Sequence, residues 1–210
     1  LCDAVLAGGI RRSATIALFD VNDEEMLYSK SGDWRSANIQ RERANISAVL
    51  DRRKLDRGTY DKIFDSLQYS GSGEPGFFLT NDPDWGTNPC GEIALRAFGM
   101  CNLTEVNIGD DISNTEFVDR VRAAAFIGTL QAGYTDFHYL RPIWRERAVA
   151  DALLGVSLTG IASGGYKDLD LAYGALVASD ENERVADKIG VRPAKRITTV
   201  KPSGTASLVL

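Results

Sequence analysis

The chain has 210 residues, 24 Lys+Arg against 29 Asp+Glu, a formal net charge of −5 and 44% hydrophobic residues, the balance of an ordinary globular chain. No stretch approaches the ~20 uninterrupted apolar residues of a membrane span, and an acidic chain without a basic block is a poor general nucleic-acid binder, so neither membrane nor nucleic acid is an expected partner. Three cysteines, Cys2, Cys90 and Cys101, and one histidine, His138, exclude a disulfide-stapled secreted scaffold and a His-rich metal site; no metal ligands are expected, and the expected compartment is a reducing cytoplasm.

In chain order, the apolar, helix-like opening Leu1-Cys2-Asp3-Ala4-Val5-Leu6 has no basic leader ahead of it. Thr15-Ile16-Ala17-Leu18-Phe19, ended by Asp20 and Asn22-Asp23, predicts a strand and a turn. Tyr60, Ile63, Phe64 and Leu67 recur at helical spacing after Thr59, which reads as an N-cap. Gly71 to Gly76 is a tight loop feeding Phe77-Phe78-Leu79. Ser113 and Glu116 have capping-box spacing, and Phe117, Val121, Ala124 and Gly128 line one helical face behind them, Gly128 permitting close packing. The runs 153–158 and 197–200 are short, apolar and bounded by turn residues, as buried parallel strands are. Asp180 and Glu183 repeat the capping-box spacing before a short helix that Gly190 ends, so Asp180-Glu181-Asn182-Glu183 reads as a helix N-terminus complementing the dipole. His138, Trp34, Trp85 and Trp144 read as packing residues. The whole is an α/β pattern. Its apolar ends, Leu1 without Met and Ser207-Leu208-Val209-Leu210, predict a fragment of a longer protein.

Three stretches can carry chemistry. In Asn88-Pro89-Cys90-Gly91-Glu92 a thiol lies two residues from a carboxylate, whose charge raises the thiol pKa. That disfavours an acyl-transfer nucleophile and favours radical or redox work. In an extended segment residues 88, 90 and 92 share a face, so thiol and carboxylate would address one substrate while Asn88 orients Glu92. Cys101, 11 residues on, has neither metal-binding nor redox CxxC spacing, yet a hairpin or neighbouring strands can bring its sulfur to the same pocket. The alternative for each cysteine is a small buried hydrophobe. From Thr198 a strand-like run gives way to Pro202-Ser203-Gly204-Thr205 and then Ala206-Ser207, a helix start whose N–H groups and hydroxyls can cradle a phosphate. It is not a Walker A loop, and the alternative is a plain strand–turn–helix joint. Gly8-Gly9-Ile10-Arg11-Arg12 makes an adaptable loop with cationic, stackable side chains suited to a nucleotide; the alternative is a helix C-cap followed by solvated arginines.

Taken together, GGIRRSA at 8–14, NPCGEI at 88–93, CNLTEV at 101–106, TDFHYLRPIW at 135–144, ERAVADALLGVSLTGI at 146–161 and VKPSGTASL at 200–208 resemble, in order along essentially the whole chain, the ribonucleotide reductases. Among these they are most similar to the adenosylcobalamin-dependent class II type, and LLGVSLTGI and VKPSGT to its monomeric triphosphate reductases. The resemblance implies reduction of ribonucleotides, in particular triphosphates, to 2′-deoxyribonucleotides by a thiyl radical with dithiol oxidation. It also implies a portion of a ten-stranded α/β barrel, residues 1–210 forming a partial catalytic barrel domain. By resemblance Cys90 carries the thiyl radical that takes the ribose 3′ hydrogen, and Glu92 is the general base, helped by Asn88. Cys101 is one member of the redox pair. Pro202, Ser203, Gly204, Thr205, Ala206 and Ser207 hold the substrate phosphates, and Gly9, Ile10, Arg11 and Arg12 form the specificity loop that relays effector identity. The implied cofactor is adenosylcobalamin, its site largely outside this chain. The implied partners are a ribonucleotide substrate, a nucleotide effector and a thioredoxin-like dithiol donor.

Departures from the family pattern limit the carry-over. The family's redox partner of Cys101 lies on a strand well upstream of the GGIRRSA loop, so Cys2 matches no assigned position. The C-terminal cysteines and most effector-site and cobalamin-site elements are absent, and a piece of this kind is expected not to turn over alone. Two alternatives stay open: the same chemistry with a class I or class III radical generator, and a catalytically silent nucleotide-binding module whose cysteines merely pack.

Overall fold

A computed structural model describes residues 14–109 and 112–203; Cys2, the Gly9–Arg12 loop and Gly204–Ser207 lie outside the described residues. The chain divides after Ala94 into two compact units.

In the first unit, β1 (Thr15–Asp20), β2 (Ala44–Asp51) and β3 (Gly76–Thr80) form a parallel sheet in that order. Two short helices, α1 (Glu24–Leu27) and α2 (Trp34–Ala37), lie between β1 and β2, and α3 (Arg57–Ser70) makes the crossover to β3. Ile46, Ala48 and Leu50 alternate along β2 and are buried with Phe19, Leu27 and Ile63, the period-two pattern of a strand with one face in a core. The cap of α3 is Asp56, whose side chain accepts the Thr59 N–H at 2.7 Å. Thr59 therefore supplies the capped amide and is not itself the cap. Ile63 alone of the expected apolar face is fully buried; Tyr60 and Phe64 stay exposed, and Tyr60 stacks on Phe77 with ring centroids 5.2 Å apart. The helix ends at Gly71 with φ +61°. Glu74, in the loop that follows, ion-pairs with the buried ammonium of Lys30 and accepts the Ile46 N–H at 2.8 Å, fastening that loop to β2.

The second unit is a β-α-β crossover with a second helix layered on it. β6 (Asn102–Asn107) and β7 (Leu154–Thr159) pair in parallel, Asn102 opposite Leu154 and Asn107 opposite Thr159. Between them run α4 (Asn114–Gly133) and α5 (Pro142–Asp151), and α6 (Leu171–Ile189) follows β7. Ser113 caps α4 through the Glu116 N–H at 3.2 Å, and the expected face, Phe117, Val121, Ala124 and Gly128, is buried. A Cβ on Gly128 would meet Leu154 at 3.3 Å, so glycine there allows the close approach to β7. On α6 the buried positions Gly174, Val177, Ala178, Glu181, Asn182, Val185 and Ala186 recur at helical spacing, facing α4.

Three expectations are corrected here. Asp180 and Glu183 do not open a short helix, because α6 starts nine residues upstream of Asp180, at Leu171, behind the cap Asp170, whose carboxylate accepts the Tyr173 N–H at 2.9 Å. The acidic cluster is thus mid-helix. Glu181 is buried against Arg184, whose hydrogen bonds hold its carboxyl below the usual range. Residues 197–200 are not a buried strand either. Val156 N–H donates to Ile197 at 2.8 Å and Thr199 N–H to Val156 at 3.0 Å, so the segment runs beside β7 as a single parallel bridge, with Val200 72% exposed. Gly190 does end α6, at φ +72°. His138 is an exposed side chain, in contrast to the packed Trp34. Among the described residues the architecture is α/β with parallel sheets, and no helix is long and apolar enough to cross a membrane.

Candidate active site

The first unit carries the cysteine turn. It lies between β4 (Trp85–Thr87) and β5 (Ala94–Arg96). Between them the Asn88 carbonyl accepts the Gly91 N–H at 2.9 Å, and Gly91 sits at φ +84°. Asn, Pro and Gly at the first, second and fourth positions are what a tight turn favours. The segment is therefore not extended, and the expected common face of residues 88, 90 and 92 is replaced by a turn with Cys90 exposed at its third position. Asn88 fastens the turn. Its Oδ1 accepts the Ile93 N–H at 3.0 Å and its own N–H donates to the Ile93 carbonyl at 3.2 Å, closing the loop. Thr87 Oγ1 donates to that same carbonyl at 3.0 Å, and Asn45 of β2 donates through Nδ2 to the Pro89 carbonyl at 2.9 Å. Glu92, half-buried, has its Oε2 withdrawn from solvent. Asn45 was not legible as a site residue, since an exposed Asn on a strand carries no motif.

The second unit carries Cys101 and the approach to the phosphate-loop candidate. Cys101, half-buried just ahead of β6, lines a cavity of about 570 Å³ with Met100, Gln131, Tyr134, Phe137 and Leu153. Beyond the bridge to β7, the Lys201 N–H donates to Ser157 Oγ at 3.0 Å, and Lys201 Nζ lies 3.4 Å from Glu105 Oε2. Pro202 is exposed, and Ser203 Oγ is buried with no hydrogen-bond partner among the described residues. Ser157 is fully buried and pairs across β6–β7 with Glu105. Glu105 and Ser157 were missed by sequence reasoning, although a charged residue between Thr104 and Val106 in a short strand was the available signal. Gly204, Thr205, Ala206 and Ser207 lie outside the described residues, as do Gly9, Ile10, Arg11 and Arg12.

No protein-family model matches the chain. Curated relatives do match it. Over 97% of its length the chain is 27% identical to the adenosylcobalamin-dependent ribonucleoside-triphosphate reductase of Lacticaseibacillus paracasei, of which it covers 32%. It is also 27% identical over 97% of its length to the enzyme of the same name from Euglena gracilis, of which it covers 30%. A crystal structure of a B12-dependent class II ribonucleotide reductase superposes on 92% of the chain, and on 33% of its own, with a TM-score of 0.66 at 23% identity. The fold is thus that of a class II ribonucleotide reductase segment. Within that class the sequence is similar, along nearly all of its length, to the adenosylcobalamin-dependent ribonucleoside-triphosphate reductases. The chain spans about a third of the length of the curated relatives it matches.

Proposed function

We propose that the protein containing this chain reduces ribonucleoside triphosphates to their 2′-deoxy forms, supplying DNA precursors, by a thiyl radical on Cys90. The observation that carries this reading is the similarity to curated triphosphate reductases over 97% of the chain. The exposed, backbone-fixed Cys90 with Glu92 two residues on supports it. On this reading the parallel sheets are parts of a ten-stranded α/β barrel, and residues 1–210 are a partial catalytic barrel domain completed by the rest of the protein.

An exposed thiol fits a radical generator reached from outside this chain, where most of the adenosylcobalamin site would lie. When bound, that cofactor supplies the initiating radical by homolysis. Cys90, having lost its hydrogen atom, takes the 3′ hydrogen of the ribose, while Glu92 accepts the 3′-hydroxyl proton. The C2′–O bond breaks and the oxygen leaves as water. Cys101 and a second thiol outside this chain give up two electrons and two protons, forming a disulfide, and Cys90 returns its hydrogen to C3′. A thioredoxin-like dithiol then re-reduces the pair. Pro202 and Ser203, with Gly204 to Ser207, hold the phosphates, and Gly9 to Arg12 relay a nucleotide effector. Such a dithiol cycle belongs in a reducing cytoplasm.

The test uses the full-length protein with a dithiol reductant, CTP or ATP, with and without adenosylcobalamin, beside Cys90→Ser. Deoxynucleotide that needs the cofactor and vanishes in the variant is the expected result. Product without cobalamin would reassign the radical generator. No product from folded, nucleotide-binding protein would leave a silent binding module.

A further inference from the structure

We propose that Glu105 and Lys201 are a positioning pair for the nucleotide phosphates, anchored by Ser157; this rests on the reductase reading of Pro202 and Ser203 and adds residues that neither the motifs nor the relatives' names assign. The two faces of β6 differ in kind. Val106 packs in the core with Phe117 and Val121, and Thr104 lies where a Cβ on Gly128 of α4 would meet it at 3.7 Å. Strand alternation therefore puts Glu105 on the face away from α4. There its side chain is only 12% exposed and that of Lys201 only 19%.

Withdrawing a carboxylate and an ammonium from water is costly, and their attraction offsets this only with close geometry and further hydrogen bonds. Neither condition is met by the pair alone. The contact, at 3.4 Å, is longer than the ~2.8 Å of a direct charge-assisted bond, and Glu105 Oε1 is buried with no hydrogen-bond partner among the described residues. Ser203 Oγ, two residues past Lys201, is also buried without one. Unmatched buried polar atoms of this kind mark strain or function.

The arrangement has a direct consequence for the loop. Lys201 is held twice, by its side chain at Glu105 of β6 and by its N–H at Ser157 of β7. Pro202 follows with its φ fixed by the ring, so the chain enters Ser203 in a preset direction. The charges also cancel: a bare Glu105 beside this entry would repel phosphate, and Lys201 neutralises it.

The experiment measures, in the full-length protein, the affinity of a ribonucleoside triphosphate and of its parent nucleoside, together with KM and kcat. Lys201→Met is expected to weaken the triphosphate about tenfold, to leave the nucleoside unchanged, and to act on KM with kcat altered less than about twofold. Lys201→Arg is expected to recover affinity to within about threefold. Removing both charges, in Glu105→Gln with Lys201→Met, is expected to bind more tightly than Lys201→Met but about threefold more weakly than wild type. Equal losses for nucleoside and triphosphate, or strictly additive effects, would overturn the proposal. Should Lys201→Met alone not fold, the neutral double variant carries the test, and wild-type affinity in it overturns the pairing. Wild-type protein that binds no ribonucleotide overturns the reductase reading as well. Wild-type protein that binds and reduces it, beside variants that bind equally well, overturns the pairing alone.

Discussion

Asn182 holds three parts of the second unit in register, and its removal is the sharpest test of how that unit is assembled. It lies in the middle of α6 at 1% exposure. Its Nδ2 donates to Thr129 Oγ1 on α4 at 2.9 Å, and its Oδ1 accepts the Ala194 N–H at 2.9 Å, on the segment that leads to Lys201. Thr129 Oγ1 in turn donates to the Ala125 carbonyl at 2.7 Å. Asn182→Ala deletes two buried hydrogen bonds, worth ~1 kcal/mol each, and strands the Ala194 N–H at a cost of ~1 kcal/mol or more. The loss is therefore about 3 kcal/mol, or about 9 °C in Tm at ~2–4 °C per kcal/mol for a chain of this size. Urea unfolding read by circular dichroism measures it as a shift in midpoint at unchanged slope. Thr129→Val removes the acceptor of the shared bond and should cost about 2 kcal/mol. Because the two variants delete one bond in common, the double should fall short of the sum by about 1 kcal/mol. An Asn182→Ala protein within about 0.5 kcal/mol of wild type, or strict additivity, would refute this account.

Three further outcomes follow from the same geometry. A Cβ on Gly174 would meet Phe117 Cε1 at 2.6 Å and Cζ at 2.7 Å, so the buried Phe117 ring would have to shift. Gly174→Ala should therefore destabilise by about 1 kcal/mol, overpacking of ~2 kcal/mol exceeding a helix-propensity gain of ~1 kcal/mol; a raised unfolding midpoint would contradict this. Ser113→Ala should cost about 1 kcal/mol by uncapping α4, and Ser113→Asp should retain that stability in the same urea assay. The hydrogen bonds from Arg53 hold the Asp51 carboxyl at about 2, below the usual ~3.9. A depressed folded pKa gives stability that is complete above the unfolded value and lost as pH falls toward 2. Asp51→Asn should therefore flatten the unfolding midpoint between about pH 4 and pH 2, and an unchanged acid limb would contradict the assignment.

What could be read in advance followed the strength of the local signal. The Phe117–Gly128 face of α4 was legible because a cap and four apolar or small positions at helical spacing agree. β7 was legible because a short run buried on both faces is mostly apolar. The Asp180–Glu183 reading failed where tertiary packing overrides local preference. A capping-box spacing inside a long helix looks like a start, and only the α4–α6 contact shows that Glu181 and Asn182 are core positions. The 197–200 run failed for a related reason: β-branched content marks a strand but not how much of it finds a partner, and here one bridge forms and Val200 points outward. Of the candidate site, the residue identities were readable and their geometry was not. Asn88, Pro89 and Gly91 together favour a turn, which the reading of 88–92 as an extended segment overlooks. The long-range partners Asn45, Ser157 and Glu105 depend on pairings between segments far apart in sequence, which no local pattern encodes.

The cysteine turn meets a requirement that core packing does not. A sulfur that must meet a reaction partner cannot be buried among side chains, so its position has to come from its own backbone. Hydrogen bonds around the turn supply that here without covering the thiol. The Gly91 N–H and the Ile93 N–H close on Asn88, Thr87 ties to the Ile93 carbonyl, and Asn45 fixes the Pro89 carbonyl to β2. Pro89 adds a fixed φ, and Gly91 takes the left-handed conformation that a side chain would strain. On the reductase reading this separates the labour within Asn-Pro-Cys-Gly-Glu. Asn88, Pro89 and Gly91 build the turn, while Cys90 and Glu92 meet the substrate. Replacing Asn88 should then misplace the thiol rather than remove a proton carrier. The kinetic mark of that difference is a partial fall in kcat for Asn88→Ala against a near-complete loss for Glu92→Gln.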